Sequence, residues 1–334
     1  MICIKVPVKE AQNIKKELLE NDLIDKDYFL KKDKDFVYFP VKKSFPSKHD
    51  FVRKILKKKK ERAGLKTTLT KKLKKEDLEF LRRSMDVIGD IAILEIPREL
   101  EKKKKLIAQE VLNANKYIKT VLKKGKHEGV FRTQKLEHLA GEKTKEAIYK
   151  ENNVQLKLDV EKVYFSPRLS NDRKRIAKLI NKGEEILVMF SGCAPYVCVI
   201  AKNTNAKNVC GVEINPTAHN YALQNVLLNK LNNTGVFLGD VKSVVPKLAK
   251  KYDRILMPLP KNATEFLDVA LNASKKGTII HLYDFKREDE LKESIEQIKQ
   301  ACAKAKKKCK ILDTVRCGQH APRTFRYCIE FQIL

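Results

Sequence analysis

Between about residue 161 and the C-terminus, short apolar runs alternate with longer amphipathic stretches, and few folds are open to a chain patterned this way. The spacing predicts strands over 186–190, 208–213, 235–238, 254–257 and 278–283. Between them it predicts helices over 197–202, 218–231, 244–251, 263–274 and 288–304. Strands joined through helices run parallel, and the helices cover both faces of the sheet. Two late strands, near 310–315 and 325–333, have too little chain between them for a helical crossover. They are expected to form an antiparallel hairpin at one edge of an otherwise mostly parallel sheet, so the fold class is α/β.

The N-terminal half is patterned differently. Residues 1–46 read as a small α+β unit: Ile2, Ile4 and Val6 alternate at strand period, Ile14, Leu18 and Leu19 share a helical face, and 35–41 forms a second strand near Pro40. Residues 47–83 are lysine-rich and weakly helical, a linker or basic arm. Residues 84–160 read as a second α+β module, with strands in 87–97 and 117–122 and a helix around 104–113. A lysine-rich turn at 123–126 then leads to Val130, Phe131 and Arg132. The sheet domain occupies 161–334.

Charge narrows the partner. The chain carries 71 Lys and Arg against 42 Asp and Glu, a net of +29. Heat adaptation raises both signs together and leaves such an excess unexplained. A polyanion explains it, and nucleic acid is the commonest one. Lysine clusters at 57–60, 71–75 and 102–105 would track phosphates. No run approaches the ~18 apolar residues of a membrane span, and the N-terminus lacks a signal-peptide core. A cytoplasmic monomer with no membrane partner is expected. Eight cysteines are present, but none forms a C-x-x-C pair and no His/Cys group has zinc spacing. They read as small buried thiols, and no metal is expected.

Ligands of open parallel sheets sit beyond the carboxyl ends of the strands. The first strand of the domain runs into Phe190-Ser191-Gly192-Cys193-Ala194-Pro195, where Gly192 permits close approach and Pro195 suits a first helical position. The second ends at Glu213-Ile214, placing a carboxylate where two ribose hydroxyls could be bound. The third ends at Gly239-Asp240-Val241, placing a carboxylate opposite an adenine amine. The turn lacks the G-x-G-x-x-G phosphate cradle, which argues against a dinucleotide. A nucleoside without pyrophosphate fits, and S-adenosylmethionine is the cofactor expected. Turn chemistry for Gly192 and Pro195, and helix capping for Glu213 and Asp240, are the purely structural alternatives.

With these motifs in hand, the chain resembles the archaeal and eukaryotic tRNA (guanine-37, N1)-methyltransferases over nearly its whole length. The most specific matches are Tyr164-Phe165-Ser166-Pro167-Arg168-Leu169-Ser170-Asn171-Asp172-Arg173, Met189-Phe190-Ser191-Gly192 and Glu213-Ile214-Asn215-Pro216. Gly89-Asp90-Ile91-Ala92 and Leu139-Ala140-Gly141-Glu142 match in the middle module. The resemblance implies a class I methyltransferase Rossmann-like domain preceded by two small tRNA-recognition domains, acting on the anticodon loop of tRNA. It implies that Tyr164, Phe165, Arg173, Phe190, Gly192, Glu213, Ile214, Asp240, Val241 and Pro258 hold the cofactor. Arg132 would bind the guanine, and Asp172 would take the place of the family's general base. The reaction needs such a base, because the ring nitrogen of guanine is a poor nucleophile while it keeps its proton.

Two residues depart from the family. Asp172 stands where a Glu is usual, one methylene shorter. Met257-Pro258-Leu259-Pro260 stands where Asn-Leu-Pro is usual, so Pro258 offers no side-chain polar group, with Pro260 and Asn262 close by to complete the site. The Pro-Leu-Pro form is similar to an archaeal subgroup credited with methylating both guanosine 37 and carbon 7 of the tricyclic 4-demethylwyosine. The alternatives are an aminocarboxypropyl transferase of wyosine synthesis, a non-catalytic RNA-binding protein with a degenerate methyltransferase fold, and a protein or small-molecule methyltransferase.

Overall fold

The computed structural model describes the chain apart from residues 59–68, 70, 71, 82–84, 130, 132, 260 and 261, and apart from the side chains of 126–128. It divides into two units, Met1–Leu73 and Lys74–Leu334.

In the first unit β1 (Ile2–Pro7) lies between two antiparallel neighbours, β3 (Phe36–Pro40) and β4 (Phe51–Arg53), and β2 (Lys31–Lys32) pairs with the far side of β3. Helix α1 (Ala11–Glu20) lays Leu18 onto Ile4, Val6, Val37 and Phe39. The sheet therefore takes in 51–53, residues that by pattern belong to the linker.

The second unit begins with the short helix α2 (Lys75–Phe80) and a four-stranded sheet, β5 (Met85–Ile88), β6 (Ile91–Leu94), β7 (Thr120–Glu128) and β8 (Thr133–Gly141). β6 and β7 are parallel because α3 (Lys104–Ala114) crosses between them. The lysines at 123–126 lie within β7 and do not form a turn. Lys123 is fixed there by Glu101 at 2.7 Å. Gly125 is needed because a Cβ would meet the Lys135 carbonyl at 2.1 Å.

A hairpin follows, β9 (Glu146–Glu151) and β10 (Val154–Asp159), turned by Asn152 and Asn153, which both have positive φ. Then come α4 (Ser170–Lys178) and a seven-stranded sheet: β11 (Glu185–Met189), β12 (Asn208–Glu213), β13 (Thr234–Leu238), β14 (Tyr252–Met257), β15 (Ser274–Lys286), β16 (Cys309–Ala321) and β17 (Thr324–Ile333). Its spatial order is β13-β12-β11-β14-β15-β17-β16. The first five strands in that order are parallel, and β17 and β16 are the antiparallel edge hairpin expected from the sequence. Helices α5 (Pro195–Asn203), α6 (Pro216–Leu228), α7 (Val241–Lys247), α8 (Leu267–Asn272) and α9 (Leu291–Lys304) supply the crossovers. Ile186, Leu187, Val188 and Met189 are all fully buried, so β11 is covered on both faces. Strand order reverses between β11 and β14, which places the ligand crevice beyond the end of β11.

The β9–β10 hairpin is held to α6 by two asparagines one turn apart. Asn225 and Asn229 each accept from and donate to the backbone of β10, at Lys157 (2.7 and 3.0 Å) and Gln155 (2.8 and 2.7 Å). Four residues of helix rise about 6 Å and two residues of strand about 6.6 Å, so the two amides keep register with the strand. Asn225 also donates 2.9 Å to the carbonyl of Cys193, which ties the hairpin to the turn after β11. Among the described residues no helix is long and apolar enough to cross a membrane.

Candidate active site

A cavity opens where the sheet topology places it. Its wall comes from the turn after β11 (Phe190, Ser191, Gly192), the end of β12 (Glu213, Ile214), the segment after β14 (Pro258, Leu259) and the approach to α4 (Tyr164, Phe165, Arg173). Phe131 of the middle module completes it.

The turn is backbone under tension. Phe190, Gly192 and Ala194 have φ of 58°, 58° and 65°. Only glycine adopts that region without cost, so two non-glycine residues are held there by their surroundings. Phe190 is wedged edge-on against Phe266 at 4.9 Å, and Ala194 caps α5. Gly211 on β12 makes room for the turn, since a Cβ there would meet the Ser191 hydroxyl at 2.9 Å.

Glu213 closes the turn from below. One carboxylate oxygen accepts from Gly192 N at 2.7 Å, the other from Asn215 N at 2.8 Å. Burial pushes its pKa above the ordinary value despite these backbone donors. A carboxylate has about four acceptor positions, so roughly two remain for ligand hydroxyls. The buried Ser191 hydroxyl, also on the cavity wall, has no partner. An unfilled buried hydroxyl and a half-used buried carboxylate, with apolar walls between them, fit a nucleoside cofactor.

Arg173 lines the cavity and is itself almost fully buried. Its guanidinium is bidentate to Glu151, with Nη2 donating 2.7 Å to Oε2, and a further bond runs to the Ser166 carbonyl at 3.2 Å. The rings of Phe165 and Tyr196 cover its faces at 5.2 and 5.8 Å. Its charge is thus spent inside the protein, and it offers the cavity shape more than charge.

Asp172 is buried and does not line the cavity. Its Oδ2 accepts from the hydroxyls of Tyr196 and Tyr283, both at 2.6 Å. Its Oδ1 accepts from Arg175 Nε at 3.0 Å and from the Cys317 thiol at 3.2 Å. Burial alone would raise its pKa. The two tyrosines and the Arg175 charge outweigh that and hold the carboxyl below its ordinary value. Arg175 continues to Glu330, Glu330 to His281 at 3.4 Å, His281 to Arg254 at 2.8 Å, and Arg254 to Glu184 at 2.8 Å. His281, Cys328 and Glu330 have metal-type donor atoms within 4.8 Å of one another. With Arg175 and Arg254 bonded into that group, a cation there would face two guanidiniums.

The remaining expected residues fall as follows. Tyr164, Phe165, Phe190, Gly192, Glu213, Ile214 and Pro258 come together around the cavity. Asp240 does not join them: it is exposed and caps α7, accepting from Lys242 N at 2.8 Å, while Val241 is buried in the core behind it. Asn262 is exposed, with φ 65°, and lines a separate hollow beside Asp284 and Phe285. Arg132 and Pro260 lie outside the described residues. Not singled out from the sequence were Ser191, which sits inside the quoted turn motif, and Glu151, Tyr196, Tyr283 and the Arg175–Glu330 pair, which are visible only when distant segments meet.

Comparison with known proteins agrees with this geometry. The chain matches the TRM5/TYW2 methyltransferase domain over residues 147–312, the TYW2 N-terminal domain over 65–144 and the tRNA methyltransferase 5 N-terminal domain over 3–49. It is 37% identical to the tRNA (guanine(37)-N(1))-methyltransferase Trm5b of Pyrococcus abyssi, over 99% of both chains. A solved complex of aTrm5 and tRNALeu shares 32% identity at a TM-score of 0.72, covering 100% of both chains. Methanocaldococcus jannaschii TYW2 in complex with AdoMet shares 26% identity at a TM-score of 0.58, over 75% of this chain and 100% of that one.

Proposed function

Because the chain belongs to the TRM5/TYW2 methyltransferase family, we propose that it transfers a methyl group from S-adenosylmethionine to N1 of guanosine 37 in tRNA. The observation that carries this reading is the cavity at the ends of β11 and β12. Its strained turn, unpartnered Ser191 hydroxyl and half-used Glu213 carboxylate suit an adenosine bearing an amino acid. The bound cofactor supplies a methyl on a sulfonium, for displacement by a nucleophile in line with it.

The protein's own residues do the rest. Glu213 takes ribose hydroxyls on its free acceptor positions, and Phe190, Ile214 and Pro258 exclude water around the transfer. Phe131 and Arg132 bring the middle module to the base, with Arg132 donating to the guanine carbonyl oxygen. Asp172 anchors removal of the ring proton. A base beside the anticodon can leave its stack at lower cost than a paired one. The net charge of +29 supplies the attraction for tRNA. The protein acts in the cytoplasm as a monomer.

Pro258 favours a second substrate. It lines the cavity with no side-chain donor or acceptor, which leaves the wall tolerant of a larger base such as 4-demethylwyosine. Mass spectrometry of anticodon-loop nucleosides, after incubation with unmodified tRNA and labelled cofactor, tests the main reading. The expected product is 1-methylguanosine at position 37. Label delivered from the cofactor's carboxyl-bearing chain in place of its methyl group would overturn it. The same assay on tRNA carrying 4-demethylwyosine tests the second substrate.

A further inference from the structure

A second hollow, of about 250 Å³, adjoins the cofactor cavity and shares Tyr164, Phe165 and Ser166 with it. Another part of its wall is the tip of the β16–β17 hairpin, Cys317 to His320, together with Phe285 of β15. The hairpin ladder passes from the Gln319–Phe325 pair to the Ala321–Thr324 pair, which makes His320 the inserted residue of a bulge. A bulge re-aims the side chain it carries, and bulges are frequent next to active sites. Here the imidazole lies flat against the Phe285 ring, at 3.9 Å between centroids and 18° between planes. Phe285 also receives the Arg326 guanidinium over its ring at 4.9 Å, and Arg326 donates 3.1 Å to the Tyr164 hydroxyl. The group thus runs Tyr164, Arg326, Phe285, His320, from a residue of the cofactor cavity to an exposed ring on the wall of the hollow.

A hollow of about 250 Å³ lies below the ~300–1,000 Å³ of pockets for drug-sized ligands, so it suits one flat ring system and not a second nucleoside cofactor. The charges on its wall nearly balance, Lys124, Arg168 and Arg326 against Asp86 and Glu161, and Asp86 is paired to Arg168 at 2.8 Å. That balance disfavours a phosphate and leaves stacking as the main attraction. A nucleobase is the flat, uncharged ring that a tRNA substrate brings, and single-stranded loop bases are held by stacking on His, Phe and Arg planes. We infer that His320, backed by Phe285 and Arg326, is the stacking platform for the base of a nucleotide flanking the target in the anticodon loop. The inference rests on the tRNA reading proposed above. Holding that neighbour in the adjoining hollow splays the strand and keeps the target base at the cofactor cavity. Stacking reads no sequence, since every base has a π-face, so the site serves tRNAs that differ beside position 37.

The test measures equilibrium binding of the full-length wild type, His320→Ala and His320→Phe to an unmodified tRNA transcript and to transcripts lacking the base at position 36, 37 or 38. Calorimetric affinity for S-adenosylmethionine, which should be the same for all three proteins, checks folding. His320→Ala should weaken binding to intact tRNA by about 5- to 150-fold, the usual cost of losing one base–aromatic stack. His320→Phe should stay within twofold of wild type, because an uncharged ring restores a stack but not an ionic or hydrogen-bonded contact. Loss of the base at either 36 or 38 should weaken the wild type, and on that transcript His320→Ala should add no further loss. The platform is overturned if His320→Ala stays within threefold of wild type on intact tRNA, if His320→Phe is as weak as His320→Ala, or if the two losses add at both 36 and 38. Coupling at position 37 alone would set His320 against the target base and overturns the flanking assignment as well. A wild type that binds tRNA but leaves guanosine 37 unmethylated removes the functional reading itself, which is a different result.

Discussion

Asn225→Ala is the sharpest probe of how the second unit is held together. The side chain makes three hydrogen bonds, two to the Lys157 backbone and one to the buried carbonyl of Cys193. Each intramolecular hydrogen bond contributes about 1 kcal/mol net, and a buried group left unpaired costs about 1–3 kcal/mol. Water reaches the partly buried Lys157 groups but not the Cys193 carbonyl, so the loss is about 3–4 kcal/mol. At about 1.4 kcal/mol per factor of ten, the local opening that exposes β10 becomes roughly 100- to 1,000-fold more frequent. Hydrogen exchange read by NMR or by peptide mass spectrometry should show this at the Lys157 amide. Amides of β14, on the far side of β11, should change much less. The neighbouring Asn229→Ala should deprotect Gln155 in the same manner, since its amide spans that residue. Exchange at Lys157 within threefold of wild type would show that the β9–β10 ladder holds the strand unaided and that the asparagine pair is incidental.

Three further outcomes follow from the charges. Burial raises the pKa of Glu213 in the free protein, and cofactor hydroxyls bond only its ionised form well. Calorimetry should therefore show S-adenosylmethionine affinity falling as pH drops through that raised value, and Glu213→Gln should be weaker at neutral pH and lose most of the pH dependence. Glu330 behaves oppositely in stability. Burial would raise its pKa, but His281 and Arg175 hold it at about 2 against an ordinary 4.5. Its contribution is complete above about 4.5 and is lost as pH falls towards 2, so Glu330→Gln should flatten that limb of the acid-unfolding curve followed by circular dichroism. For tRNA, filter-binding affinity should fall linearly in a log–log plot against salt. Removing two lysines of the 102–105 cluster should reduce the slope by about 1.4–1.8, and an unchanged slope would take that cluster out of the contact.

The parallel sheet was legible because each crossover left its mark. Buried β11 is a continuous apolar run, β12 ends in an acid, and Pro195, Pro216 and the Asp240 cap announce three helix starts. Pattern reading failed where a charge or a glycine was held by something far away. Lys123 and Gly125 look like a turn until Glu101 and the Lys135 carbonyl are seen beside them. Asp240 had the right strand end, and the capping bond that competes for such an acid is what the structure shows. The site was half legible for a related reason. Residues on the motif itself, such as Glu213 and Gly192, announce themselves by position. Glu151, 22 residues from Arg173, and Tyr283, 111 residues from Asp172, carry no local signal at all.

The shortened acid at 172 and the proline at 258 look, in sequence, like losses of catalytic equipment, and the geometry argues otherwise. A carboxylate free in the cavity would face the sulfonium as well as the base, and would stabilise the cofactor's positive charge most before transfer, when catalysis gains nothing from it. Asp172, buried and outside the cavity wall, avoids that ground-state pairing. Its ionisation is favoured by Arg175, the first member of a bonded chain that continues through Glu330, His281, Arg254 and Glu184 away from the cavity across β17, β15 and β14. Pro258 then fits the same design. Pro258 and Leu259 give the segment after β14 an apolar wall on the cavity, on a different side of the sheet domain's site from the buried acid.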